Sequence, residues 1–176
     1  MHNFSELIER CTSFTLHNLA EVQNMTLKAL ENSASTIHIK NLQMINLQKT
    51  FFIVGVFSFY ESILQDRLNC RNGFEEAKRI LKKNDENLLL EKFTELFSII
   101  NVLKHGKGRS YENLIHKNSR KIEIRIKEPE EMFFEEGNVD EISSLIEVND
   151  DLISQAISII NEVSSIIEND NPEIII

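Results

Sequence analysis

Tryptophan is absent from this 176-residue chain, and proline (two), glycine (five) and tyrosine (two) are scarce. So little turn punctuation excludes an architecture of many short strands, which would need Gly, Pro or Asn between them. Cysteine is nearly absent too. Cys11 and Cys70 stand in helical patterns with no CxxC or Cys/His spacing, so neither a metal site nor a disulfide framework is expected, and a reducing cytoplasm fits the chain. The opening MHNFSELIER lacks a basic segment followed by an apolar one and does not read as a secretory signal. The most apolar run, FFIVGVFSFY at 51–60, is about half the length a bilayer crossing needs and is closed by Glu61. It reads as core, with no membrane association, and no motif calls for a cofactor.

Hydrophobic residues make up 41% of the chain, enough to bury a substantial core in one domain spanning 1–176. The formal charge of −9 is unevenly placed. Residues 1–100 are close to neutral at −1, while residues 101–127 carry eight Lys or Arg against Glu112 and Glu123, a net of +6. Residues 128–176 hold fourteen acids and no Lys or Arg. A basic belt is therefore followed by a wholly acidic third. That third can serve as a solvated face, or fold back onto the belt.

The apolar spacing predicts an all-α chain. A first helix runs from Asn3 to about Asn32, and a second from Ile37 to about Leu68, with Ser35 or Thr36 as its N-cap. In the second, Ile45, Phe52, Val56, Phe59 and Ile63 form a stripe and Gly55 allows a neighbour to come close. Its centre is apolar nearly all round, so either the rest of the bundle or another subunit must cover it. Asn72-Gly73 precedes a short helix over 74–82, and Asp85 or Asn87 caps a helix over 88–105 with Leu89, Phe93, Leu96, Phe97, Ile100 and Leu103 on its core face. Gly106 is the expected C-terminal stop. A further short helix over 110–116 leads to Ile122-Glu-Ile-Arg-Ile126, whose strict alternation predicts a short strand or extended arm. Beyond it the pattern predicts a loop over 128–138 anchored by Met132, Phe133 and Phe134. A helix over 139–148, capped by Asn138 or Asp140, and a last helix begun by Asn149 follow, and then a loose tail.

One stretch, SIINVLKHGKGRSYENL at 98–114, departs from this pattern. Asn101 and His105 are four apart and share a helix face, with Lys104 and the loop cations Lys107 and Arg109 nearby. In the plainest reading the cations complement the negative end of the helix dipole and the motif only closes a helix. In the functional one, an imidazole able to titrate near neutral pH stands beside an amide and several cations. That set suits RNA cleavage: a neutral His takes the 2′-OH proton, the freed oxygen attacks phosphorus, and a cation stabilises the developing charge. Tyr111 can stack on a base or pack at a helix start. His116 has no carboxylate at ligand spacing that would make a metal pair with it.

The Asn and His of NVLKHG, on a late helix behind an FxxFxxI-type apolar stripe, resemble the motif of HEPN domains. The likeness spans roughly residues 37–117, and the acidic helical segment 128–176 reads as an extension. It implies an antiparallel helical bundle, to which the extended arm at 122–126, read from its alternation, and the C-terminal helices are additions. It also implies a homodimer joining two motifs in one basic cleft, and metal-independent endoribonuclease activity in bacterial defence or toxin–antitoxin systems. His105 takes the family's His position and Asn101 its polar position, while Ile100 stands where the Arg would precede Asn101. The catalytic pair implied is His105 and Asn101, with Lys104, Lys107, Arg109 and Tyr111 along RNA or a nucleotide at the 101–127 belt. Two other readings stay open: a non-catalytic HEPN module for dimerisation and protein-partner binding, and an unrelated helical scaffold.

Overall fold

Asn3 accepts a hydrogen bond from Ser5 N at 2.7 Å and starts the first helix, α1 (Phe4–Asn32). The computed structural model describes residues 3–33, 35–131 and 140–176. Five more helices follow among them: α2 (Thr36–Arg67), α3 (Gly73–Lys83), α4 (Asn87–His105), α5 (Arg109–Ile115) and α6 (Asp150–Asp170). The chain is an all-α bundle, as its periodicity predicts. Side-chain caps are placed where the sequence offers Asn: Asn72 accepts from Glu75 N at 3.1 Å and Asn149 from Leu152 N at 2.8 Å. Ser35 stands at the N-cap of α2, but its side chain makes no capping bond. Glu75 and Glu76 in the first turn of α3 and Lys82 and Lys83 in its last complement the helix dipole.

α2 is the axis of the bundle, packing against α1, α3, α4 and α6, while α5 rests on α4. Its inward aromatics explain why: Phe57 stacks on Phe74 of α3 at 4.5 Å between ring centroids, and Phe74 meets Phe93 and Phe97 of α4 at 5.7 and 5.5 Å. α6 contributes Leu152, Ile153, Ala156, Ile160, Val163 and Ile167 to the same core. By length and composition α2 is the one helix among the described residues that could cross a membrane; four helices pack on it, and 39% of its apolar window is buried. On the opposite side of α2, Phe51 is 60% and Phe59 61% exposed among the described residues.

Within the bundle, Gly55 is not where a neighbour comes close: a Cβ added there would meet nothing within 4 Å among the described residues. The close contact is at Gly73, where a Cβ would lie 2.6 Å from Leu64 Cβ and 2.9 Å from the Glu61 carbonyl, which lets α3 start against α2.

The alternating segment is the extended arm expected: Ile122 and Ile126 are buried and Ile126 forms an antiparallel bridge with Ile146. Lys127 N donates to Leu145 O at 2.8 Å and Glu147 N to Arg125 O at 3.1 Å. The helix expected over 139–148 is not formed from Asp140 onward. Those residues are spent as the arm's partner, because the arm's buried N–H and C=O groups need one. Ser144 Oγ, bonded to Ile146 O at 2.8 Å, adds a local alternative to helical bonding. Val139 itself and the expected Met132, Phe133 and Phe134 anchor lie outside the described residues. The tail is not loose: Ile176 is buried and its N–H donates to Glu168 Oε1 at 2.7 Å.

Candidate nucleic-acid interface

Gly106 closes α4 with φ +72°, a conformation that suits glycine, and its N–H donates to Val102 O at 2.8 Å. This stop fixes which way the motif faces. Ile99, Ile100 and Val102 are buried, so Asn101 is half-buried and Lys104 and His105 project into solvent. Ile100 is 2% exposed, which places the position preceding Asn101 inside the core. Asn101 and His105 share a face, but no hydrogen bond joins them, and neither side chain bonds to any described residue. Lys107 and Arg109 are exposed on the short loop that starts α5, and neither they nor Lys104 has a carboxylate within ion-pair distance among the described residues. Arg109 makes no hydrogen bond to His105.

The rest of the basic segment behaves differently. Lys117 Nζ reaches Glu95 at 2.5 Å and Lys121 Nζ reaches Glu91 at 3.4 Å, both on α4. Arg120 donates to Leu114 O at 3.3 Å. Arg125 lies 3.0 Å from Glu131 and 3.6 Å from Glu147, and Lys127 is buried against Glu141. The belt from 117 to 127 is therefore held internally, three of its carboxylate partners coming from the acidic third. Among the described residues, the cations left without a carboxylate partner in this segment are Lys104, Lys107 and Arg109, which flank His105 at the corner between α4 and α5.

Tyr111 is not part of that corner. It is 1% exposed, its hydroxyl donates to Lys127 O at 2.6 Å, and burial pushes its phenol pKa up, with Glu128, Glu112 and Glu131 adding to the shift. Its place is in the core, so the stacking role is withdrawn. His116 is exposed and 3.5 Å from Glu112, one helical turn back, which corrects the expectation that no carboxylate stands at such a spacing from it. Among the described residues no group of three or more His, Cys, Asp or Glu side chains is arranged to hold a metal ion.

Two residues that the sequence reading passed over organise the surroundings. Glu95, 2% exposed, takes Lys117 and also accepts from Lys121 N and Ile122 N at 3.1 Å, pinning the belt to α4. Lys49, buried within the apolar α2, pairs with Asp150 at 2.8 Å and ties α2 to the start of α6. A charge in the middle of an apolar helix was the available signal for Lys49, since a buried cation needs a partner. Beside the α4–α5 corner an open, mixed groove of about 560 Å³ is lined by Leu47 and Phe51 of α2, Leu103 of α4, Gly106 at its stop, and Glu141 and Leu145.

No family model matches the chain, and no curated protein and no solved structure matches it.

Proposed function

We propose that this chain is an HEPN-like helical protein of a bacterial defence or toxin–antitoxin type system, cytoplasmic and homodimeric, that binds RNA at the α4–α5 corner and cleaves it weakly or not at all. The observation that carries this is selective pairing: the described cations of the belt from Lys117 to Lys127 are bonded internally, whereas Lys104, Lys107 and Arg109 are left to solvent around His105. Cations close together in sequence attract a phosphate backbone, and in the groove beside them Phe51 offers an exposed ring to a base.

Weak chemistry follows from Ile100. With that position turned into the core, transition-state charge must be met by Lys104, Lys107 or Arg109, and losing one well-placed donor costs about 10²–10³ in rate. Among the described residues, His105 in the role of base also has no bonded partner to orient its ring. The non-catalytic alternative, a module for dimerisation and protein binding, is favoured by that same buried Ile100.

The test combines binding and cleavage. A fluorescently labelled single-stranded RNA is titrated with wild type and with the Lys104→Ala/Lys107→Ala/Arg109→Ala triple variant, without metal. The triple variant should bind at least about tenfold more weakly, with the slope of log K against log salt smaller by about 2. Unchanged binding would refute the RNA reading. His105→Ala, compared in the same preparations, should abolish any slow cleavage, and should alter stability by no more than about 0.5 kcal/mol because the side chain is exposed.

A further inference from the structure

A partly enclosed cavity of about 190 Å³ lies where α1, α2, the end of the arm and the segment from Asp140 to Asn149 meet, and no described residue of α4 or α5 lines it. Three cations face it, Lys49 of α2 and Arg125 and Lys127 of the arm. So do three carboxylates, Asp140, Glu141 and Glu147. Lys49, Lys127 and Glu141 are buried. Buried ion pairs often stabilise a fold no better than apolar side chains of the same volume, because each charge is stripped of water. The stability of the bundle therefore does not explain a cavity lined in this way.

The lining also has bonding capacity that the chain leaves unused. The Lys49 ammonium carries three N–H donors, and its partner among the described residues is Asp150, at 2.8 Å. The other donors must be met from the cavity. Gln23 of α1, which also lines it, makes no side-chain hydrogen bond to a described residue. Asn46 bonds only through Nδ2, which donates to the Asp140 carbonyl at 2.8 Å and to its carboxylate at 3.4 Å. A buried ammonium short of acceptors calls for an anionic group. The carboxylates in the same walls call for a cationic one. A simple anion would meet as much repulsion as attraction there, whereas a molecule carrying both charges finds a partner for each. The volume holds about six waters and is smaller than the pockets of drug-sized ligands, so the molecule is small.

We infer that this cavity binds a free amino acid. Its carboxylate is received by Lys49, and its ammonium group by Asp140, which Asn46 holds one helical turn from Lys49. Gln23 and the Asn46 carbonyl supply the remaining polar contacts. The site uses none of the residues assigned to RNA at the α4–α5 corner and stands or falls separately from it.

Differential scanning fluorimetry of the full chain tests this, with each common free amino acid at about 10 mM. Isothermal titration calorimetry then follows with the one that shifts the midpoint most. At least one amino acid should raise the thermal midpoint saturably, by about 3 °C or more, and bind in a one-to-one ratio. Sodium acetate and methylamine, which supply the two charges separately, should give no such shift. Lys49→Met and Gln23→Ala should each weaken binding about tenfold or more. Gln23→Ala loses no internal bond, so it keeps the test open where Lys49→Met fails to fold. No saturable shift with any amino acid would overturn the inference, as would an equal shift from acetate alone. Binding of wild-type strength in Gln23→Ala and in folded Lys49→Met would place the ligand outside the cavity and overturn it as well.

Discussion

Glu95 is the residue on which the 117–122 segment depends. Its carboxylate, with no exposed side-chain surface, holds one ammonium and two backbone N–H groups. Replacing it leaves those N–H groups buried without an acceptor, so Glu95→Ala should lower stability by about 3 kcal/mol in urea unfolding. Nothing in the sequence marks it: its partners are 22 to 27 positions away, and a Glu on a helix reads as solvated by default. The two tyrosines make a second case at this scale. Tyr60 and Tyr111 are both buried, and burial raises both phenol pKa values, for Tyr60 against the opposing hydrogen bond from Ser164. An unfolded chain ionises tyrosine near pH 10, earlier than the folded one. The stability this confers is thus full below about pH 10 and is lost as pH rises above it. The phenolate absorbance of the native protein should stay flat through pH 10 and then rise together with unfolding; a reversible rise near pH 10 in folded protein would contradict the burial of both rings.

Among the elements, the contrast between two glycines is decisive for how α2 is used. Gly73 is where α3 leans on α2, and a Cβ there meets Leu64 Cβ and two backbone atoms of α2 at 3.0 Å or less. Gly73→Ala should therefore destabilise the fold by about 1–3 kcal/mol, read as a lowered thermal midpoint. The same substitution at Gly55 should not. Both residues look alike in the sequence, and only the packing tells them apart. The segment from Asp140 to Val148 teaches a related lesson. Ile142, Leu145 and Ile146 at helical spacing read as a helix, but Ile146 and Val148 are buried around an exposed Glu147, and this two-residue period is the one realised. Local propensity was overridden because the arm at 122–126 needed backbone partners.

Across the whole molecule, ion pairs add to the apolar packing that holds α6. Lys83 of α3 reaches Asp170 at the end of α6 at 2.7 Å, and together with Asn84 it keeps the Asp170 carboxyl below its usual pKa. A depressed carboxylate adds stability above its unfolded pKa near 4 and loses it as pH falls through the lower folded value. Acid unfolding of Asp170→Asn should accordingly show a shallower loss of stability below about pH 4 than wild type, measured by circular dichroism across the transition. Periodicity, sparse turn residues and the Gly106 stop were enough to determine an all-α chain, the extent of α1 to α5, and an arm at 122–126, because each depends on neighbours within a few residues. The sequence also placed the motif at the end of α4. Only the tertiary structure decided that the cations from 117 to 127 are bonded internally, four of them to Glu91, Glu95 and carboxylates of the acidic third, that Tyr111 is core, and that Lys104, Lys107 and Arg109 beside His105 have no carboxylate partner among the described residues. Those outcomes depend on which distant carboxylate reaches which cation, and that distance is set by helix packing rather than by any spacing along the chain.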